Sequence, residues 1–576
     1  MSGRIFSVGA KVVVASFFMA ISFAGSARAA TITVTTTNVT GSASDCTFPD
    51  ALNAASTNVA VNGCAAGDNE PTVDTINLPA GTITADSSNT FTLSDSTSIH
   101  GAGMSSTTLL GYYLYSDSGA PSLERLEFHN LTLSQGEVYM YNPVANFVLD
   151  YVGLDFMYVT IMSYSDDMPL AASLTNIRAV NDATVAVYQS SNNPGNVLIR
   201  NAYFNTDSSL TSGNPAIIYK NERANARFDI QNSVITGYTI GILNQECTDM
   251  VWSPWSVYVT DSMIGGAGMQ TGIINNCGHL VINRTTFHDI TGTAIMAWAN
   301  YLAVNQNTGV CEPQSSSRLE VYNSTFSGIT VSGSLDTRYP LTDAPFSTTL
   351  VTPYIGIVTV DSQVNPTCPA GSQVTDTDIT LVHNTFADNT FTTPGSGIIG
   401  FQNGTVLRNL RVQNNAIQGK AFSGNFSANG TVNVSDNLIT ESYAGPGVFA
   451  TGFLTVADFL LGPLQDNGGA GVGVDQAGGR VLTMRPFAGS PLIDAASSAG
   501  LAEDERGASR SLMMRFDVGA VEVTVAEFTA DGGVYTPPTG RLAETGSDVY
   551  GYFTLGGMVS VSAGIVLCLR YKKSPF

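Results

Sequence analysis

Carboxylates inside alternating apolar–polar runs, with arginines recurring close by, are the side chains here best suited to chemistry. Asp229, Asp261 and Glu320 fall singly in such runs, and Arg200, Arg227, Arg284 and Arg318 recur beside them. Two reactions use such groups. Glycan β-elimination needs a base, often Arg or Lys, beside an acidic metal cluster, and glycoside hydrolysis needs two neighbouring carboxylates. No acidic cluster accompanies the arginines along the chain, and Asp166-Asp167 and Asp376 with Asp378 read as solvated loops. Asp494, Asp504, Arg506, Arg510 and Asp517 form a second concentration. It reads as a charge network stitching the final coils, because buried charges are normally paired. His100, His129, His279, His288 and His383 are scattered, and no Cys/His group has metal-ligand spacing. No catalytic residue, metal site or cofactor is therefore assigned. The Gly-rich run 462–479 lacks the strand-to-helix context and GK[ST] ending of a phosphate loop and reads as surface.

Six cysteines precede the C-terminal apolar run: Cys46, Cys64, Cys247, Cys277, Cys311 and Cys368. An even number in an exported chain suggests disulfides. Sequential pairing is the simplest of the available connectivities.

The elements that would position these groups repeat. The phrases LEFHNLTL from Leu126, VLIRNAYF (197–204), FDIQNSVI (228–235), VYVTDSMI (257–264), LVINRTTF (280–287), LEVYNSTF (319–326), TLVHNTF (380–386), LRVQNNAI (410–417) and VNVSDNLI (432–439) share one template. It is a strand of period 2, then Asn, Asp or a substitute, two residues, and an apolar residue. The closing residues Phe204, Ile235, Ile264, Phe287, Phe326, Phe386, Ile417 and Ile439 are 22–39 residues apart except for one step of 60, which is expected to hide an extra coil near residues 354–361. A shorter phrase often follows, as in ITGYTIGI (235–242), and supplies a second strand per coil. Self-similarity at this period marks a solenoid. The expected fold is all-β: a single-stranded right-handed parallel β-helix with an N-terminal cap, plus a C-terminal transmembrane sorting helix. About thirteen to sixteen coils would stack into a rod roughly 60–80 Å long. Asn130, Asn201, Asn232, Asn323 and Asn414 are expected to hold left-handed bends rather than a ligand.

The ends carry targeting signals. Arg4 and Lys11 precede the apolar run 12–23 and the A-x-A site Ala27-Arg28-Ala29, so cleavage of a signal peptide is expected after Ala29. Residues 552–569 form an uncharged stretch long enough to span a bilayer, followed by Arg570, Lys572 and Lys573. Just upstream, Leu542-Ala543-Glu544-Thr545-Gly546 resembles the LPxTG family of cell-wall sorting signals, with Ala543 in place of Pro. The resemblance implies a sortase that attacks the Thr545 carbonyl and passes the protein to peptidoglycan or a pilin amine. The protein would then sit outside the cell, anchored to the wall.

Two further resemblances bracket the repeats. Cys46-Thr47-Phe48-Pro49-Asp50-Ala51-Leu52 resembles the CSLREA motif that heads many secreted bacterial β-helix proteins, and implies a short helix clipped by Cys46–Cys64. LQDNGG (464–469), AGSPLIDAA (488–496), DERGASR (504–510) and DVGAVE (517–522) resemble the choice-of-anchor module of secreted bacterial proteins. The expected organisation is 1–29 signal peptide, 30–103 cap and first coils, 104–445 β-helix repeats, 446–523 anchor-type module, 524–541 linker and 542–576 sorting signal.

A formal charge of −22 argues against nucleic acid and anionic lipid as partners. The function expected is a displayed, non-enzymatic rod, adhesin-like or envelope-structural, facing glycan or a host or partner-cell surface. The alternative is a displayed polysaccharide-active lyase or hydrolase, since pectate-lyase-like enzymes share the β-helix and fold alone does not decide function.

Overall fold

A computed structural model describes residues 29–535, except 70, 86–89, 117–122, 142–145, 164–169, 190–194, 207–214, 222–225, 246–255, 277, 305–310, 314–316, 333, 337–350, 354–355, 365–376, 393–394, 442–446, 498–499 and 511–514. Ala27, Cys247, Cys277, Cys368, the sorting residues Leu542 to Gly546 and the apolar run 552–569 lie outside the described residues, as does the side chain of Cys311. Among the described residues no helix is long and apolar enough to cross a membrane.

The repeat phrases wind into parallel coils, consistent with a right-handed β-helix. Each typical coil carries three strands, not two. The first sheet runs through Thr31–Thr33, Asp74–Asn77, Thr97–His100 and on to Val432–Ser435, fourteen rungs among the described residues. At ~4.8 Å per rung this is about 60 Å of rod. The second sheet takes the closing part of each phrase, such as Tyr203–Asn205, Val234–Thr236, Thr286–His288 and Thr325–Ser327. The third takes Tyr113–Ser116, Glu137–Tyr141, Tyr158–Ser163, Thr184–Gln189 and their successors. The phrase ITGYTIGI thus spans the end of one second-sheet strand and the start of a third-sheet strand.

The 60-residue step hides no extra coil. Ser317–Tyr322 pairs directly with Thr377–Val382, and Gly356–Val364 is the third-sheet strand between them. The added length is an excursion that includes the antiparallel pair Ser334–Asp336 and Val351–Pro353. A solenoid tolerates such insertions because each coil needs only its two neighbours.

Alternation places one row of apolar side chains inside each strand. Phe287, Phe326 and Phe386 stack in the interior with ring centroids 4.9 and 4.6 Å apart. The bend between first and second sheets is left-handed: Asn130 (φ 56°), Asn201 (54°), Asn232 (50°), Asn323 (44°) and Asn414 (55°) all hold it. Asn tolerates this region because its short polar side chain bonds locally. In TLVHNTF the bend falls on His383 (φ 57°), one residue earlier than the Asn. The following position faces inward and is Asn in the last coils, where the bends fall on His383, Asn414 and Asp436. Asn384, Asn415 and Asn437 form a buried ladder there, with Nδ2 of Asn384 donating to Asn415 Oδ1 (3.0 Å) and Nδ2 of Asn415 to Asn437 Oδ1 (2.9 Å).

At the N-terminal end, helix Phe48–Thr57 packs against the first strands through buried Phe48, Ala51, Leu52, Ala54 and Ala55. Thr47 caps it by accepting the Asp50 N–H, and Pro49 suits the first turn. A disulfide joins Cys46 to Cys64, Cα–Cα 4.6 Å.

The chain after the last coils does not continue the rod but runs back along it. Val472 and Val481 cover Val234 and Met263, and Phe459, Leu492, Ala496 and Val518 cover Ala416 and Leu438. From about Tyr203 onward the outward side of the second sheet lies beneath this strap, while earlier positions such as Arg178 are exposed. The expected linker begins with a helix, Val525–Ala530, set by a capping box between Thr524 and Glu527. Asp531 ties it down through a two-pronged pair with Arg485 (2.7 and 3.0 Å).

Candidate functional site

Side chains two apart on a strand point the same way, and parallel registry aligns them coil over coil. The outward side of the first sheet therefore carries columns. One contains Ser98, Glu127, Asp229, Tyr258, Glu320 and Arg411, and the column before it contains Arg125, Arg227, Ser256, His279, Arg318 and Asp378. Arg125-x-Glu127, Arg227-x-Asp229 and Arg318-x-Glu320 recur as pairs within single strands. Of the carboxylates read as isolated in the sequence, Asp229 and Glu320 are thus each met by an arginine two residues earlier, a spacing legible once the strands are known, whereas Asp261 is met by Arg284 of the next coil.

Registry keeps Asp229 and Glu320 three rungs apart, about 14 Å at ~4.8 Å per rung. That exceeds the ~6.5–9.5 Å that an inverting carboxylate pair requires. Closer diagonal pairs exist in Glu127 with Asp150 and Glu320 with Asp378, on adjoining rungs. Both are tied up by neighbours.

Around Glu127, Arg125 Nε donates to Oε1, and Oε2 accepts from Ser98 (2.8 Å) with His129 Nε2 at 3.3 Å. Burial would raise the Glu127 pKa, but the Ser98 and Arg125 bonds outweigh it and hold it below the usual range. His100 Nε2 lies 2.8 Å from the Ser98 oxygen and stacks on His129, centroids 4.6 Å apart. Burial, then His129, lowers the His100 pKa, which keeps its ring neutral. Ser98 has one proton, and the ionised Glu127 is the stronger acceptor, so His100 donates to Ser98. This is the reverse of the direction that activates a serine nucleophile. Asp150 accepts from Thr175 (2.7 Å) and Asn176 (2.8 Å).

Around Glu320, the Tyr322 hydroxyl donates to Oε2 (2.7 Å), Arg318 forms an ion pair with Oε1, and His279 Nε2 approaches Oε1 to 3.2 Å. Burial opposes ionisation, yet the contacts with His279, Tyr322 and Arg318 win and the Glu320 pKa falls to about 2. Ser256 meets the other ring nitrogen of His279 at 3.1 Å. Arg227 chelates Asp229 (2.6 and 2.8 Å) and lies over the Tyr258 ring, 4.1 Å from its centroid. Asp378 is held by Arg408 and Asn409. Such a row can bind and orient a ligand. Glu127 and Glu320, held ionised by their neighbours, are poorly suited to serve as the protonated carboxyl of a hydrolase. Among the described residues no group of three His, Cys, Asp or Glu is arranged to hold a metal ion.

Asp261 and Arg284 face each other in a two-pronged pair (2.7 and 2.8 Å), and Arg284 reaches Glu503 of the strap at 2.9 Å. Arg200 is exposed on the first sheet. The C-terminal charges cross from the strap to the coils. Buried Arg510 donates to Asn323 Oδ1 (2.7 Å) and to the Gly519 and Ala520 carbonyls (3.0 and 3.1 Å), with Glu522 at 3.5 Å. Arg506 bridges Asp504 (3.0 Å) and Glu527 (2.6 Å). Fully buried Glu505 accepts from the Thr325 N–H (3.1 Å). Burial pushes its pKa well up, as it does for Asp517, whose pKa burial and then Glu522 bring to about 8. The turn residues contribute as well: Asn232 Nδ2 donates to the Gly471 carbonyl (3.3 Å) and Asn414 Nδ2 to that of Ser497 (2.7 Å). The network therefore fastens a strap over the coils from Asn232 onward rather than closing only the last ones.

No family model matches the chain, and no curated protein matches it. Solved structures give distant likenesses. A PL6 alginate lyase in complex with a trisaccharide is 12% identical over 67% of this chain and 88% of that one, with a TM-score of 0.30. A mannuronic acid-specific family 6 polysaccharide lyase from human gut microbiota is 12% identical over 66% and 85%, with a TM-score of 0.31. The pectate lyase Pel9A is 15% identical over 86% and 96%, with a TM-score of 0.28. Scores this low carry no argument, and the fold stands on the strand pairings.

Proposed function

We propose that this chain is a cell-surface rod, adhesin-like or envelope-structural and without catalytic activity, joined covalently to the wall by a sortase. The observation that carries this reading is the order at the C-terminus: Leu542-Ala543-Glu544-Thr545-Gly546, an uncharged run over 552–569, then Arg570, Lys572 and Lys573. That order fits a chain that is held in the membrane, cut after Thr545 and transferred. The ion-paired outward carboxylates support the non-enzymatic part of the reading. Cell fractionation with mass spectrometry of the C-terminus tests it. A mature chain ending at Thr545 and linked to wall fragments is expected, and a free protein retaining Phe576 would sink the proposal.

A second reading, a displayed polysaccharide-active enzyme, draws on His279, Arg318, Glu320 and Tyr322 gathered on one face. A depolymerisation assay on alginate, pectate and neutral glycans separates the two. Turnover lost in Glu320→Gln would favour the enzyme.

A further inference from the structure

The third sheet holds a feature that neither reading uses. On four successive rungs its outward positions are Tyr113 and Tyr115, then Glu137, Tyr139 and Tyr141, then Tyr158, Thr160 and Met162, then Thr184, Ala186 and Tyr188. The inward neighbours Leu114, Val138, Met140, Val159, Ile161 and Val187 are buried, which fixes the tyrosines outside. Tyr113 is 43% exposed and the other five are half-buried. Tyr115, Tyr139 and Tyr141 form a connected group of rings, flanked by Tyr113, Tyr158 and Tyr188. Tyr115 and Tyr139 have centroids 5.7 Å apart across coils, and Tyr139 and Tyr141 are 6.4 Å apart along one strand with planes within 9°. Their hydroxyls are held in place: Tyr115 donates to Glu137 (3.3 Å), and Tyr139 lies 2.8 Å from the Met162 sulfur.

We infer that this tyrosine layer is a binding platform for an uncharged, extended polysaccharide lying along the rod axis. The coil repeat of ~4.8 Å is close to the length of one pyranose residue in an extended chain, so one sugar can meet one rung. A pyranose presents a face of C–H groups that is apolar and weakly positive, complementary to the negative face of an aromatic ring. Its hydroxyl rim can exchange hydrogen bonds with phenol groups and with Glu137. Charge selects the class. Glu137 lies at the centre of the layer, Lys220 follows Tyr188 only on the next rung, and the chain carries −22 overall. A uronate or sulfated chain would be repelled where a neutral one is not.

This deepens the displayed-rod reading by naming what the rod would hold. Anchoring is read from the C-terminal mass and binding from purified protein, so either can fail alone. The test is calorimetry on the purified full-length chain with hexasaccharides of β-1,4-linked glucose, mannose and xylose, and with oligogalacturonate as the charged arm. At least one neutral hexasaccharide should bind, and more tightly than oligogalacturonate. Tyr139→Ala with Tyr141→Ala should weaken it roughly tenfold or more, as expected for two lost ring contacts. Tyr139→Phe with Tyr141→Phe should stay within a fewfold, which guards against misfolding as the cause. Phe487→Ala, at an exposed ring on the strap, should leave binding unchanged. The proposal is overturned if no neutral hexasaccharide binds at millimolar concentration, if oligogalacturonate is preferred, if Phe487→Ala costs as much as the double variant, or if the layer proves to bind a second copy of the chain instead.

Discussion

Replacing Arg510 with Met should release the strap while leaving the coils stacked. The guanidinium is buried and donates to Asn323 Oδ1 and to the carbonyls of Glu503, Asp517, Gly519 and Ala520, at 2.7–3.4 Å. It is also the cation closest to Glu522. Methionine fills much of the space but strands these acceptors and leaves the Glu522 charge without it. Breaking a buried pair from one side costs about 3–5 kcal/mol, a factor of roughly 200–5,000 in local opening. Hydrogen exchange read by mass spectrometry is the assay. Amides of 459–523 should exchange faster by a factor in that range. Amides of the interior rungs around Phe287, Phe326 and Phe386 should be nearly unchanged, because coil-to-coil stacking does not pass through the strap. Arg510→Lys keeps the charge but loses the fork, and should fall between the two. The reasoning is refuted if strap protection is unaltered, or if strap and interior rungs lose protection equally, since the two would then form one cooperative unit.

Glu505→Gln should be neutral or stabilising above the ordinary carboxylate range, because burial favours the uncharged form of this carboxyl. The native state retains its proton where the unfolded chain releases it, so stability falls as pH rises through this range. The variant should lose that part of the slope in urea melts from pH 4 to 9. The part that persists up to about pH 8 belongs to Asp517, whose pKa is raised in the same sense. Glu320→Gln should cost about 1–2 kcal/mol at neutral pH, a value discounted for partial solvent screening. Its folded pKa is depressed, so the difference from the parent should vanish as pH falls from the ordinary carboxylate range towards about 2. Asn415→Ala should cost about 3 kcal/mol in denaturant melts, because it strands the Leu381 and Gln413 carbonyls and both neighbouring asparagines. A loss under about 1 kcal/mol would show that the ladder relaxes.

The repeat phrases made the first-sheet strand of each coil legible, and the shorter phrase after them marked the strand that lies in the third sheet. Period 2 sets the inward rows, and the Asn or Asp after each strand marks the bend. The separate second-sheet strand was harder to read because it is only about three residues long and follows the bend within the same phrase. Third-sheet strands such as Thr184–Gln189 and Gly356–Val364 have unlike flanks, so the latter reads in the sequence as an extra coil. The Asn384–Asn415–Asn437 ladder escaped for a different reason. In HNTF and QNNAI the asparagine next to the bend looks like the bend residue itself, and only registry separates an inward amide from an outward one. The strap was invisible in outline because its partners are distant in sequence, from 61 residues for Ser497 with Asp436 to 239 for Asn232 with Gly471. Its charges were nevertheless readable as paired, since five ionisable groups in a short apolar-flanked stretch have few other stable arrangements.

The strap also decides where a tether would leave the rod. Asp531 is pinned to Arg485, and Arg506 joins Glu527 beside Glu505, which sits on Thr286 and Thr325 of the tenth and eleventh rungs. The chain therefore departs from the flank over the second sheet, short of the rod's C-terminal tip. From there to Thr545 it has only about ten residues past 535, at most about 35 Å fully extended and less than the rod's length. A wall bond at Thr545 would draw the second-sheet flank towards the wall, where the strap already covers that sheet over the later coils. The first and third sheets would then face away from the cell. Those are the sheets that carry the arginine–carboxylate row and the tyrosine layer, so the path of the strap and the placement of both candidate surfaces lead to the same orientation.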